Sequence, residues 1–394
     1  MNQYAISTPE GTRDRLFAAT RMFRQNEKRI RDLFEARGYD EIITPSLEYY
    51  DVFTQAGSSI GQEKMYKLTD RNGRLLVLRP DNTTPIARVV TTKLNDDVLP
   101  LRLYYMQKVH RASSFHRGHS TEVMQAGAEL LGARGMMADI DILTTAFAAL
   151  AAVRGETFRI ELSYAAIYKE LIQSLNVDAE TAERIRSNIE NKSYAALGDE
   201  LEPYQDREAY RALKAMPNLF GGSEVLDELA GLTDNPGVLK AVAYLKNLID
   251  AITNAGYGEN VMIDLGLVQE IDYYTGLMFR GYMGGAGSPV LAGGRYDNLC
   301  AKFGRDIPAT GFAIDIDALS ESVDLKKKVI PQELVFCERS DLKGALNYIN
   351  TNSELAELAP CDTEKEAMEL AKKKGYRTLV IFRDGAVKEV EVQA

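Results

Sequence analysis

Tryptophan is absent from the sequence, and cysteine and histidine occur three times each. The cysteines, Cys300, Cys337 and Cys361, are odd in number and share no metal-ligand spacing, which argues against a disulfide framework and fits a reducing cytoplasm. The histidines, His110, His116 and His119, crowd into one short polar segment. Their spacing matches no zinc motif and no cysteine is near, so no metal is expected there. Long hydrophobic runs are also missing. The longest, 142–153, is broken by Thr144 and Thr145 and closed by Arg154, short of the about 20 apolar residues that a membrane span needs. The start, MNQYAISTPEG, has neither a basic patch nor an apolar run, so no secretory leader is expected. Cations are outnumbered: 47 Lys+Arg stand against 57 Asp+Glu, a net charge of −10. Such a chain is a poor general binder of nucleic acid, whose phosphates are held by clustered Lys and Arg. Repeats and low-complexity tracts are absent too.

What is present is an ordinary globular composition, 45% hydrophobic and 26% charged over 394 residues. That is enough chain to bury a large core. Leu16, Phe23 and Ile30 recur at heptad spacing, with Leu33 and Phe34 widening the stripe. They predict a helix capped by Thr12 and ended by Gly38. A strand over 41–44 stops at Pro45, and 64–68 with 74–78 reads as a hairpin turning through Asn72-Gly73. A helix from about 84 and a strand over 101–109 follow. A polar loop over 112–120 leads into a strand over 122–130, then a helix over 138–154 and a strand over 158–163. From about 165 to 256, helical periodicity interrupted by turn signals predicts a helical insertion. Strands return at 261–265, 277–283 and 289–291, and a helix is expected over 309–322. Lys326–Lys328 reads as a linker, dividing a core over 1–325 from a small α/β domain over 329–394. Antiparallel strands with segregated helices make the fold class α+β.

Four segments carry chemistry. In Leu78-Arg79-Pro80-Asp81-Asn82-Thr83-Thr84 a strand ends and a helix begins. Asp81 and Thr83 can offer oxygens to a cation such as an α-amino group, and Asp81 or Asn82 can equally be a plain N-cap. Gln125 and Glu129 stand four apart on an apolar strand, so they share a face. A buried Glu needs a partner, and Gly127 between them would let a ligand approach. Tyr273 and Tyr274, adjacent on an expected strand, would point to opposite faces, one into a pocket. Ala292-Gly293-Gly294-Arg295-Tyr296-Asp297 reads as a glycine turn that brings backbone close to a small ligand.

These segments, in this order, resemble histidyl-tRNA synthetase, a class II synthetase, over about 5–322. The likeness includes the motif-1-like Gly38-Tyr39-Asp40-Glu41-Ile42-Ile43-Thr44-Pro45 and a motif-2-like loop from Arg111 to Glu129. Asp272-Tyr273-Tyr274-Thr275-Gly276 and Gly293-Gly294-Arg295-Tyr296-Asp297 are specific to the histidyl branch. The resemblance implies a six-stranded antiparallel sheet flanked by helices, a homodimer formed partly through motif 1, and a histidine pocket. Asp81, Thr83, Arg111, Gln125, Glu129, Gln269, Tyr273 and Tyr274 would bind histidine, and Gly293, Gly294, Arg295 and Tyr296 would form a supporting loop. Asp81 replaces the family's Glu.

Three departures point away from catalysis. The family's Arg-x-Glu in motif 2 reads Arg111-Ala112-Ser113. The Arg that opens the histidyl motif is Gln269, and the motif-3 Arg falls at Ala318. Each loss of a charge contact to a phosphate or developing charge costs a factor of about a hundred or more. The acidic tail is also shorter than the family's anticodon-binding domain. This pattern resembles the regulatory-subunit family of ATP phosphoribosyltransferase, synthetase paralogues without catalytic residues or a cofactor of their own. The expected partners are the short catalytic subunit, a second copy of the chain and L-histidine as effector, with neither tRNA nor membrane. A divergent histidyl-tRNA synthetase, or a freestanding amino-acid-activating ligase, is the alternative.

Overall fold

A computed structural model describes residues 5–56, 60–112, 120–154, 157–268, 273–321, 332–352 and 355–392. The expected linker at 326–328 lies outside them. Contacts divide the chain into two compact units, Met1–Asp324 and Leu325–Ala394.

The first unit opens with helix α1 (Phe17–Ala36), followed by β1 (Asp40–Glu41), β2 (Leu47–Tyr49), α2 (Tyr50–Ala56), β3 (Lys67–Thr69), β4 (Leu75–Leu78) and α3 (Thr83–Thr92). Two ten-residue strands, β5 (Leu101–His110) and β6 (Glu122–Leu131), precede α4 (Met136–Arg154) and β7 (Phe158–Tyr164). Helices α5 (Ala165–Leu175), α6 (Ala179–Glu190), α7 (Tyr194–Leu201) and α8 (Ala209–Ala215) come next. They are followed by β8 (Phe220–Gly221), α9 (Glu224–Ala230), α10 (Pro236–Ile252) and β9 (Val261–Asp264). The unit ends with β10 (Leu277–Met283), β11 (Leu291–Arg295), β12 (Ala309–Asp315) and α11 (Ile316–Glu321).

One nine-stranded sheet organises this unit, in the order β1-β5-β6-β12-β11-β10-β7-β9-β8. Its six central strands, β5 to β7, are all antiparallel neighbours. Parallel β1 and β9 extend it at either side, and β8 closes the far edge. Alternation along β6 sets the two faces of the sheet. Ala126, Ala128 and Leu130 join the main core with Ile30 and Phe34 of α1 and Ile142, Leu143, Ala146 and Phe147 of α4. Gln125, Gly127 and Glu129 point to the other face, where α3 packs through Ile86, Ala87 and Val90 against Leu103, Tyr105 and Leu131. Helix α4 is long and apolar enough to cross a membrane by length and composition alone. Its buried residues instead fill the space between sheet and helices.

Four expectations are corrected. Residues 309–315 form a strand, not the start of a helix, because their backbone pairs with β6 and β11 on both sides. Tertiary pairing overrides local propensity there. The Gly293-Gly294 segment lies within strand β11 rather than a turn. A Cβ on Gly293 would sit 2.5 Å from the Gly311 carbonyl, so the glycines let the middle of the sheet close up. Helix α1 begins at Phe17 after Leu16, while the Thr12 hydroxyl donates to the Pro9 carbonyl in a turn. Tyr273 and Tyr274 precede β10 in a turn, so strand alternation does not govern them.

The second unit is a four-stranded sheet, β14-β13-β15-β16, built from β13 (Glu333–Cys337), α12 (Leu342–Thr351), β14 (Ala356–Leu358), α13 (Glu364–Lys374), β15 (Thr378–Arg383) and β16 (Ala386–Glu391). One small core joins Leu334, Phe336, Leu379 and Ile381 to Ala367 and Ala371 of α13. A second joins Val335, Val380 and Phe382 to Ala345 of α12. Thr363 and Glu366 form a capping box at the start of α13, and Gly375 ends it at φ 76°.

Candidate functional site

A cavity of about 260 Å³ opens on the α3 side of the sheet. Its lining includes Asp81, Thr83, Arg111, Gln125, Glu129, Tyr273, Tyr274, Gly293 and Tyr296. Nine of the expected residues therefore meet at one place. Gln269 lies outside the described residues, as do Ser113, His116, His119 and Asp272.

Strand β6 carries the two floor residues. Glu129 is buried, and both of its oxygens are engaged. Oε1 accepts a 2.8 Å hydrogen bond from the Thr83 hydroxyl, and Oε2 accepts one from the Tyr296 hydroxyl. Burial pushes its pKa up to about 8, with the Tyr296 and Thr83 hydrogen bonds pulling the other way and the Asp81 charge adding to the rise. Gly311 on the neighbouring strand makes room for this carboxylate, since a Cβ there would overlap it. Four residues back on β6, Gln125 accepts from Asn82 Nδ2 at 3.3 Å.

Asp81 does both things its sequence position allows. Its carboxylate accepts from the Thr84 amide at 2.8 Å and the Thr84 hydroxyl at 3.2 Å, fixing the first turn of α3, and it also lines the cavity. Burial raises its pKa. The segment is held from below by Arg79. That buried guanidinium donates to the carbonyls of Lys108 at 2.8 Å, Thr44 at 2.6 Å and Pro45 at 3.2 Å, and to Gln107 Oε1. The Leu-Arg-Pro sequence thus ties the motif-1-like segment to the pocket wall. Arg111 is exposed, with its Nε held by the Pro80 carbonyl at 2.8 Å.

The opposite wall is aromatic. Tyr273 stacks on Tyr296, centroids 5.4 Å apart, and meets Tyr274 edge-on at 5.1 Å. Both tyrosines line the cavity, whereas strand alternation would have sent one of them away. The room expected at Gly127 is filled by the Tyr105 ring, which a Cβ there would overlap. Neither Gly294 nor Arg295 lines the cavity. Gly294 leaves space for the Tyr274 ring, 2.7 Å from where a Cβ would stand. Arg295 turns into the core, where its Nε and Nη2 donate to Asp139 at 2.9 and 2.6 Å and its Nη1 to Asp297 at 3.1 Å. It supports the wall from behind and touches no ligand space. Asn82, Tyr105, Gly311 and Asp315 are lining residues that the sequence reading passed over. Alternation on the 101–109 strand could have found Tyr105.

Chemically, carboxylates, two carboxamides and hydroxyls converge on one side of a small cavity, and tyrosine rings form the other. Among the described residues, Arg111 is the one cationic side chain in the lining. Such a cavity suits a small molecule with N–H donors and a flat ring.

The fold and this pocket define a synthetase-like chain. A family model described as histidyl-tRNA synthetase matches residues 11–319. Histidyl-tRNA synthetase from Nostoc sp. PCC 7120 shares the fold at a TM-score of 0.77 and 21% identity, covering 98% of this chain and 97% of that one. Nearer relatives narrow the class. A Clostridium kluyveri protein named ATP phosphoribosyltransferase regulatory subunit is 39% identical, over 95% of this chain and 98% of its own. A Bacillus halodurans crystal structure described as an ATP phosphoribosyltransferase regulatory subunit/histidyl-tRNA synthetase superposes with a TM-score of 0.85 at 30% identity, covering 96% of this chain and 98% of that one. The chain belongs to the family of ATP phosphoribosyltransferase regulatory subunits.

Proposed function

We propose that this chain is a non-catalytic regulatory subunit of ATP phosphoribosyltransferase, acting at the first step of histidine biosynthesis in the cytoplasm. It assembles with the short catalytic subunit, which joins ATP to phosphoribosyl pyrophosphate, and passes histidine feedback to it as a coupling free energy between two sites. The observation that carries the reading is the pocket, where the Thr83–Glu129–Tyr296 arrangement and the tyrosine wall suit an amino acid with an imidazole ring. In this reading Asp81, Thr83 and Gln125 face the α-amino group, Glu129 and the tyrosines face the ring, and Arg111 faces the carboxylate. Ala318 supports the loss of amino-acid activation: it stands at the motif-3 position, offers no cation, and gives only its amide to Asp315, at 2.9 Å.

Self-association through the motif-1 region is part of the proposal, in a hetero-octamer of four regulatory and four catalytic chains. Its support is an apolar sheet face. Leu47, Tyr49 and Leu68 are exposed there beside half-buried Leu76 and Leu78.

The deciding experiment mixes the chain with a short catalytic subunit. Phosphoribosyltransferase activity should rise on mixing and fall when histidine is added. Glu129→Ala should keep the activation and lose the histidine response. ATP–pyrophosphate exchange with histidine by the chain alone would instead establish a divergent synthetase.

A further inference from the structure

The tyrosine wall of the pocket is not held by the sheet alone. Helix α5 leaves β7 directly behind it, and Lys169 on its second turn reaches back, its Nζ donating to the Tyr274 carbonyl at 2.8 Å. The Ala165 amide at the start of the same helix donates to the Gly276 carbonyl, also at 2.8 Å. These two bonds clamp the turn on either side of Thr275. On the pocket side, the Tyr274 ring fits against Gly294 and edge-on to Tyr273, which in turn stacks on Tyr296, the residue that donates to Glu129. A second contact comes from the same helical segment. Tyr244 of α10 donates to Asp139 at 2.6 Å, and Asp139 holds Arg295, whose carbonyl receives the Thr275 amide at 2.7 Å. Helix α5 thus holds the tyrosine turn directly, α10 reaches it only through Asp139 and Arg295, and the remaining lining residues lie on other elements.

We propose that Lys169 is a positioning residue of the amino-acid pocket: by holding the Tyr274 carbonyl it sets the tyrosine wall and couples the helices of 165–256 to pocket occupancy. An ammonium donating to a part-buried carbonyl replaces water there and adds to the Thr275–Arg295 and Ala165–Gly276 backbone bonds in restraining a turn that lies outside the strands. Loss of the ammonium frees the turn while the sheet, α4 and the core stay as they are. Its effect therefore falls on ligand affinity rather than on global stability. The part of this inference that concerns histidine rests on the pocket reading given above. The restraint of the turn does not.

The test uses the full chain with Lys169→Met, which keeps the aliphatic stem, and Lys169→Arg, which keeps a donor. Three measurements are made: amide hydrogen exchange of the peptide containing 273–277 without ligand, histidine affinity by calorimetry, and melting temperature. Lys169→Met should speed exchange in that peptide and weaken histidine binding, each about tenfold or more, the worth of one charge-assisted hydrogen bond. The melting temperature should stay unchanged, and Lys169→Arg should restore both losses. Exchange at 273–277 equal to wild type would overturn the proposal. So would a rise in exchange across the whole chain with a lowered melting temperature, because the lysine would then be merely structural. If the wild-type chain binds no histidine, the pocket reading fails, and the exchange measurement still decides for or against Lys169.

Discussion

Glu129 is a carboxyl placed where its charged form is costly. Its folded pKa of about 8 stands above the roughly 4.3 of an unfolded chain. Between those values the folded protein holds a proton that the unfolded chain has released. The contribution to stability is therefore fully present below the unfolded value and is lost as pH rises towards 8. Glu129→Gln keeps the shape and removes the titration. Urea unfolding of wild type should show stability falling by a few kcal/mol, an order-of-magnitude figure, between about pH 5 and about pH 8. The Gln variant should lose most of that slope, and equal slopes in the two proteins would assign the pH dependence elsewhere. At this scale the sequence was most legible. Gln125 and Glu129 share a face because strands repeat every two residues, and the Asp81 oxygens cap and line at once because they stand where a strand becomes a helix. The Asp139 partner of Arg295 was not legible for an equally physical reason: nothing in a Gly-Gly-Arg sequence tells which face of a central strand the guanidinium takes, and Asp139 lies on α4, far away in the chain.

Between residue and molecule stand the strands that form the pocket floor. The run of 309–315 reads locally as the start of a helix, and only its pairing with β6 and β11 makes it a strand. Part of that information is held by β6, more than a hundred positions upstream, which no local window contains. Its glycine is the trace left in the sequence. Gly311 stands opposite Glu129 in register, and an added Cβ would overlap the Glu129 carboxylate and lie 2.7 Å from the Ala128 carbonyl. Neither can yield, one being a strand backbone and the other held by Thr83 and Tyr296. Gly311→Ala should cost about 1–3 kcal/mol of overpacking, measured by chemical unfolding, and should also remove histidine binding by displacing Glu129. Wild-type stability in this variant would mean that β12 shifts away from β6 and that the pocket floor is softer than its hydrogen bonds imply.

For the molecule as a whole, composition and net charge are legible in the sequence, while the surface on which the proposed self-association rests is not. Exposed apolar residues are common on any protein, and only their grouping is informative. Leu47, Tyr49 and Leu68 look unremarkable when spread through the sequence, but pairing of β2 and β3 with β4 gathers them. In register, Tyr49 and Leu68 flank Leu76, and Leu47 stands beside Leu78, all on one face. Val77 and Glu48 point the other way and are buried. A three-stranded sheet with one apolar face turned to water is poorly stabilised alone, and a second copy meeting it through the same face satisfies both chains by two-fold symmetry. Specific dimers bury about 1,200–2,000 Å² in total, so this face would be the centre of a larger contact. Leu68→Glu combined with Leu76→Glu sets four like charges against one another across such an axis without touching the pocket or the main core. Sedimentation of the wild-type chain should give a dimer, and the double variant should sediment as a folded monomer with an unchanged circular dichroism spectrum. Activation of the catalytic subunit should then fall together with the dimer if the assembly is built on it. A double variant that remains dimeric would place self-association on another surface.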